Sequence, residues 1–228
     1  MSAQAFNHSP SPTTVEVTLD GKIVPVPAER RSINAVRGYL ETLAMEQQRI
    51  VITFRVDGEE AKPADEERQK QAFTRITAES VDLRDMPVHL LETALQQAAD
   101  ARALVEKAVS LVLINERSHA RELWWKLTRN LKEPLLTLSL VPETVCRLNE
   151  GGASPLQLRR WQLQQLAFII KEVDTAAWAT DAAALSNALE TRVLPWLESL
   201  EELIGLWHAT VLAGVRAGRP LTTAPLPT

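Results

Sequence analysis

The sequence predicts an α+β chain, with a small domain of strands and one crossing helix over 15–86 and an all-α four-helix bundle over 87–217. Three observations lead there. Before Pro87, apolar residues alternate with polar ones in short runs, the period of a half-buried strand. After Pro87 they recur in steps of three and four, the period of a helix. Both Asp-Gly pairs, Asp20-Gly21 and Asp57-Gly58, fall in the first region, where strands need tight reversals. Residues 1–14 read as a disordered lead-in, and 218–228, with three prolines in eleven residues, as a flexible tail.

In the first domain, Val15, Val17 and Leu19 form one strand, Asp20-Gly21 turns the chain, and Ile23, Val24 and Val26 continue in extended form. Pro25 and Pro27 have no amide donors, so this second strand belongs at a sheet edge. Ser32 is placed to cap a helix whose Ile33, Val36, Leu40 and Leu43 share a face. Residues 50–56, IVITFRV, are β-branched and apolar, as a central strand would be, and Asp57-Gly58 ends them. After the charged interval AKPADEERQKQA, the residues Phe73, Ile76, Ala78, Val81 and Leu83 suggest a last strand with less regular alternation.

The hairpin VEVTLDGKIVPV, helix SINAVRGYLETLAME, strand RIVITFRVDGEE and last strand TRITAESVDL together resemble the ubiquitin-like β-grasp arrangement. That resemblance implies a protein modifier, a sulfur carrier or a docking module. Modifiers and sulfur carriers of that superfamily end in a free Gly-Gly tail. Here the last strand runs into Leu83-Arg84-Asp85-Met86-Pro87 and a helix, so docking is the implied role. The pair Gly151-Gly152 lies mid-chain and reads as a loop between helices.

Four apolar stripes define the second domain. Leu91, Leu95, Ala98, Ala101, Val105, Ala108 and Val112 mark a first helix, and a second starts near Arg117 with Trp124, Leu127, Leu131, Leu135 and Leu138. Ser154 and Pro155 open a third, striped by Leu163, Leu166, Ile170, Val173 and Ala177. The fourth carries Leu189, Val193, Trp196, Leu200, Leu203 and Trp207. Pro134, Pro142 and Pro195 interrupt these patterns, so kinks or breaks are expected there. The run ALSNALETRVLPWLESLEELI, with the small domain before it, also resembles uncharacterised bacterial proteins that have a helical C-terminal half.

With 25 Lys and Arg against 29 Asp and Glu, the chain lacks the basic excess that holds a phosphate backbone, so nucleic acid is not an expected partner. One cysteine excludes an internal disulfide and fits a cytoplasmic setting, and no run reaches the length of a membrane span. No P-loop, Rossmann glycine fingerprint, nucleophile elbow or zinc-type Cys/His spacing occurs, so no catalytic residue and no cofactor is assigned. Glu116 and His119, at i and i+3, have the spacing of a di-iron bundle ligand pair, but the other three histidines lack the matching Glu, so a solvated pair is expected. Glu59-Glu60, Asp65-Glu66-Glu67 and Glu201-Glu202 read as solvated faces and Cys146 as a structural thiol.

Trp124 and Trp125 point about 100° apart on a helix, so one narrow stripe buries only one of them. Trp124 fits the stripe. Trp125, with Arg121 and Arg129, is the candidate interaction surface, expected to meet the first domain, a dimer mate or another protein. The expectation is an adaptor or assembly protein working through a protein partner or as a homodimer. Its rivals are a ligand binder or enzyme with a pocket among the helices, and a chaperone of secretion or flagellar type.

Overall fold

The computed structural model describes residues 15–27, 32–61, 73–142, 155–178 and 182–216. The fold is mixed α+β, and the chain divides into two compact units, Met1–Met86 and Pro87–Thr228.

The first unit holds β1 (Glu16–Leu19), β2 (Lys22–Ile23), α1 (Ile33–Glu46), β3 (Arg49–Val56), β4 (Glu59–Glu60) and β5 (Arg75–Asp82). The strands form one sheet in the order β2-β1-β5-β3-β4. β1 runs parallel to β5, and the other pairs are antiparallel. The last strand, not β3, therefore takes the middle. The two hairpins close locally and carry β2 and β4 to the outside, which leaves the central place to the strand that arrives last. β2 does lie at an edge, but it is shorter than the alternation suggests. The Val24 N–H still reaches the Val17 carbonyl at 2.8 Å, after which Pro25 has no donor to extend the ladder.

Val17, Leu19, Ile33, Val36, Leu40, Phe54, Val56, Ile76 and Ala78 make the core between sheet and helix, with Val51 packed against it. Strict alternation along β3 would pair Ile52 with Phe54 on the core side. Instead Val51 registers with Ser80 and Thr53 with Glu79, so Ile52 is an extra residue and the bulge shifts the inward phase to Val51. On α1, the Ser32 hydroxyl accepts from the Ala35 N–H at 3.2 Å, and Ala44 takes the buried place expected of Leu43, which is only partly covered.

Both Asp-Gly turns have positive φ at both residues, 52° and 75° at Asp20-Gly21 and 49° and 88° at Asp57-Gly58. Such turns match the twist of the strands they join, and a short Asp side chain tolerates this backbone. Each Asp also serves the central strand. The Asp20 carboxylate accepts from the Ser80 N–H and hydroxyl, both at 2.7 Å, which continues the β1 edge past its last residue. Asp57 accepts from the Thr74 and Arg75 N–H groups at 3.0 and 2.8 Å. Arg49 completes the first cluster by donating from Nε to the Ser80 hydroxyl at 2.8 Å.

The second unit contains α2 (Met86–Leu113), α3 (Arg117–Asn130), α4 (Glu133–Leu138), α5 (Pro155–Trp178), α6 (Ala182–Ala188), a π turn (Leu189–Val193) and α7 (Leu194–Arg216). With 28 residues, α2 is about 42 Å long. Its buried stripe follows the expected one except that Ala94 replaces Leu95. The second predicted helix is broken at Pro134, which opens α4, yet Trp124, Leu127, Leu131, Leu135 and Leu138 are all buried.

On α5 the expected face is displaced. Gln162, Leu166, Ile169, Val173 and Ala177 are buried, Leu163 is exposed and Ile170 is only partly covered. Adjacent isoleucines offer two faces, and the rotation is set by Asp174, whose carboxylate accepts from Trp124 Nε1 at 2.7 Å. Ile204 likewise replaces Leu203 on α7. The kink expected at Pro195 is a π turn, in which Leu194 donates to the Leu189 carbonyl just before the residue that has no donor. Among the described residues no helix is long and apolar enough to cross a membrane.

A candidate protein-interaction surface on α3 and α5

Two lateral pairings organise the second unit. α2 and α7 are joined by Arg102 with Glu201 at 3.2 Å and by His208 with Glu92 at 3.4 Å. α3 and α5 are joined by the Trp124 to Asp174 hydrogen bond and by the Arg121 guanidinium, 5.6 Å from the centre of the Trp178 ring. Because Arg121 meets Trp178 while Trp124 meets Asp174, these two helices run antiparallel.

The α3 sequence accounts for its two-sided character. Ala120, Trp124 and Leu127 turn inward at helical spacing, and Trp124 is fully buried. Trp125 is one residue further round and 58% exposed. Arg121, Trp125 and Arg129 stand at i, i+4 and i+8, a column about 12 Å long on the outer side of α3. Trp178 at the end of α5 is 69% exposed and lies under Arg121. A cation over an indole ring gains roughly 0.5–1 kcal/mol at an exposed site, so Arg121 is held near the Trp178 ring without being neutralised.

Neither Arg121 nor Arg129 forms an ion pair among the described residues. Lys126 differs, because its ammonium donates to Glu122 at 2.7 Å. That hydrogen bond, and after it the Lys126 charge, hold the Glu122 carboxyl below the usual carboxylate range. Other large apolar side chains are exposed on these elements, Leu136 and Leu140 at and beyond α4 and Trp161 and Phe168 on α5. On α2 and α7 the large exposed apolar residues are Leu113 and Leu206, with Ile114 just past the end of α2.

Charge is divided in the same way. α3, α4 and α5 together hold seven Lys and Arg against four Asp and Glu, whereas α2 and α7 hold three against six, in a chain of net charge -4. Net charge taken helix by helix finds this asymmetry in the sequence. The Trp178 ring has no such signal, because its nearness to Arg121 depends on the rotation of α5.

The other sequence candidates are placed as follows. His119 Nδ1 lies 2.5 Å from Glu116 Oε2, so these two exposed side chains satisfy each other. Among the described residues no group of three His, Cys, Asp or Glu side chains is arranged to hold a metal ion. Glu201 is committed to Arg102, and Glu59-Glu60 form the short edge strand β4. Cys146, the Asp65 to Glu67 run, Gly151-Gly152, the lead-in and the tail lie outside the described residues. In the first unit, Arg37 stacks over Phe54 at 4.2 Å and donates to the Ala61 carbonyl. Burial lowers its pKa from the ordinary value, with Glu41 acting in the opposite direction. A shallow hollow on the outer side of α1 is lined by Gly38, Glu41, Thr42, Met45 and Glu46, with no convergent donors.

No family model, curated protein or solved structure matches this chain.

Proposed function

We propose that this chain is a non-enzymatic interaction protein, an adaptor or assembly component, in which a β-grasp docking domain precedes a four-helix bundle. The β-grasp reading is supported by two hairpins flanking a last strand that is central and parallel to the first, with one helix against the sheet. The bundle reading is supported by four long helices, α2, α3, α5 and α7, tied in two lateral pairs.

The observation that carries the interaction role is the pair of exposed indoles, Trp125 and Trp178, near an arginine that has no carboxylate partner among the described residues. Tryptophan and arginine are the side chains that most often dominate binding energy at protein interfaces, since each desolvates a large area at small entropic cost. The test compares the full chain with Trp125→Ala and Trp178→Ala variants in capture from native lysate of the source cells, with light scattering for self-association. A defined set of proteins, or a dimer, lost from both variants is expected. If both variants retain every wild-type partner and the wild-type oligomeric state, the interaction role fails.

A second reading, ligand binding among the helices, is favoured by two buried polar atoms without a hydrogen-bond partner among the described residues, Gln162 Oε1 and Trp196 Nε1. Their residues are only 2% and 6% exposed, and a buried polar atom normally finds a partner. A metabolite that raises the melting temperature of the wild type but not of Gln162→Leu supports it.

A further inference from the structure

We infer that the α3 and α5 surface receives an acidic segment of another protein, one that carries two carboxylates about 12 Å apart with an apolar side chain between them. The inference rests on the interaction reading and supplies the chemistry of the partner. Arg121 and Arg129 lie one helical turn to either side of Trp125, so a segment along α3 meets a cation, an indole and a second cation in turn. Among the described residues neither guanidinium has an ion pair, and Trp178 extends the apolar contact beside Arg121. A carboxylate matches the planar donor fork of arginine, and the middle apolar group covers the indole.

Charge decides between occupants. A second copy presenting the same surface would bring the basic excess of α3 to α5 against itself, and like charges facing each other are repelled. A polyphosphate would meet Glu122 and Glu133 among the cations, with Lys126 already committed to Glu122. A protein segment is compatible with both glutamates because it can carry cations of its own opposite them.

The experiment uses the full chain and fluorescence anisotropy. The probe is a fluorescein-labelled, alanine-rich helical peptide with Glu at positions i and i+8 and Leu at i+4. Comparison ligands are the same peptide with Lys at both Glu positions, a 20-nucleotide oligo-dT and phosphatidylserine vesicles. The Glu peptide is expected to bind, more weakly at higher salt, and about tenfold or more less tightly to Arg121→Glu/Arg129→Glu. Arg121→Gln/Arg129→Gln, which leaves the helix propensity intact, is expected to fall between, and a circular-dichroism melt confirms that each variant is folded. Equal binding of the Lys peptide, tighter binding of oligo-dT or vesicles, no binding of the Glu peptide, or a folded double variant with unchanged affinity each overturns the inference. Partners lost from Trp125→Ala in lysate, together with failure of the Glu peptide, would leave the interaction role standing and remove only the acidic partner.

Discussion

Replacing Asp174 with Ala removes the acceptor of a buried donor. Trp124 is fully buried, and its Nε1 donates to the Asp174 carboxylate at 2.7 Å across the gap between α3 and α5. A hydrogen bond to a charged group contributes about 1.5–3 kcal/mol, and a buried N–H left unpaired costs about 1–3 kcal/mol. Asp174 is only partly buried, so water can reach the vacated site and soften the loss. The expected destabilisation of Asp174→Ala is therefore about 2 kcal/mol, at the lower middle of those ranges. For a unit of this size that corresponds to a melting temperature lower by about 4–8 °C. Urea denaturation followed at 222 nm measures it. A double-mutant cycle with Trp124→Phe isolates the pair, because in the double variant donor and acceptor are both absent. A coupling energy of about 1–2 kcal/mol is expected. A cycle with no coupling, or an Asp174→Ala loss below about 0.5 kcal/mol, would refute the reasoning that this bond fixes the rotation of α5.

Four further outcomes are expected. Ser32→Ala removes the oxygen that accepts from the Ala35 N–H and should cost about 1 kcal/mol in a thermal melt of the full chain, with Ser32→Asp close to wild type. Asp20→Ala should cost about 1–2 kcal/mol, through loss of the two Ser80 bonds and of a side chain that tolerates its positive φ, whereas Asp20→Asn should recover part of it. Gly205→Ala should stabilise α7 by about 0.5–1 kcal/mol, because the added Cβ meets nothing within 4 Å beyond the backbone of its own helix and alanine is the better helix former, and chemical denaturation reads the gain. Lys126→Ala should raise the Glu122 pKa toward its ordinary value, seen by carbon NMR titration of the side-chain carboxyl. Because the wild-type carboxyl titrates low, the pairing is present above the ordinary carboxylate range and is lost as pH falls through the lowered value.

Much of the architecture was legible because local signals agreed with the tertiary outcome. Asp20-Gly21 and Asp57-Gly58 turn in the left-handed region, Ser32 caps α1, and Pro134 separates α3 from α4. The misplaced core residues share one cause, the rotation of an element about its own axis. Ile169-Ile170 and Leu203-Ile204 are adjacent apolar pairs, and a helical stripe passes through either member. Long-range contacts then choose, as the Trp124 to Asp174 bond does for α5. Ile52 in β3 is the same problem in a strand, where one bulged residue exchanges the two faces and leaves no mark on composition. At the candidate surface, Trp125 was readable because it falls off the stripe that buries Trp124, with Arg121 and Arg129 on the same helix. Trp178 was not, since it reaches Arg121 only through the packing of two helices separated in sequence.

The adjacent tryptophans connect stability with the proposed recognition. Neighbouring positions on a helix diverge by about 100°, so fixing the rotation of α3 at Trp124 also fixes where Trp125, Arg121 and Arg129 point. The Trp124 bond supplies that constraint from α5, which also carries Trp178. A surface held in this way presents its cations and rings already spaced, and so spends less conformational entropy on binding than one assembled from mobile side chains. Weakening the Trp124 to Asp174 bond should therefore reduce affinity for an acidic segment even though neither residue lies in the exposed column. In a variant that remains folded, Asp174→Asn, the loss should be smaller than in Arg121→Glu/Arg129→Glu, because the column keeps its charges and loses only its fixed orientation.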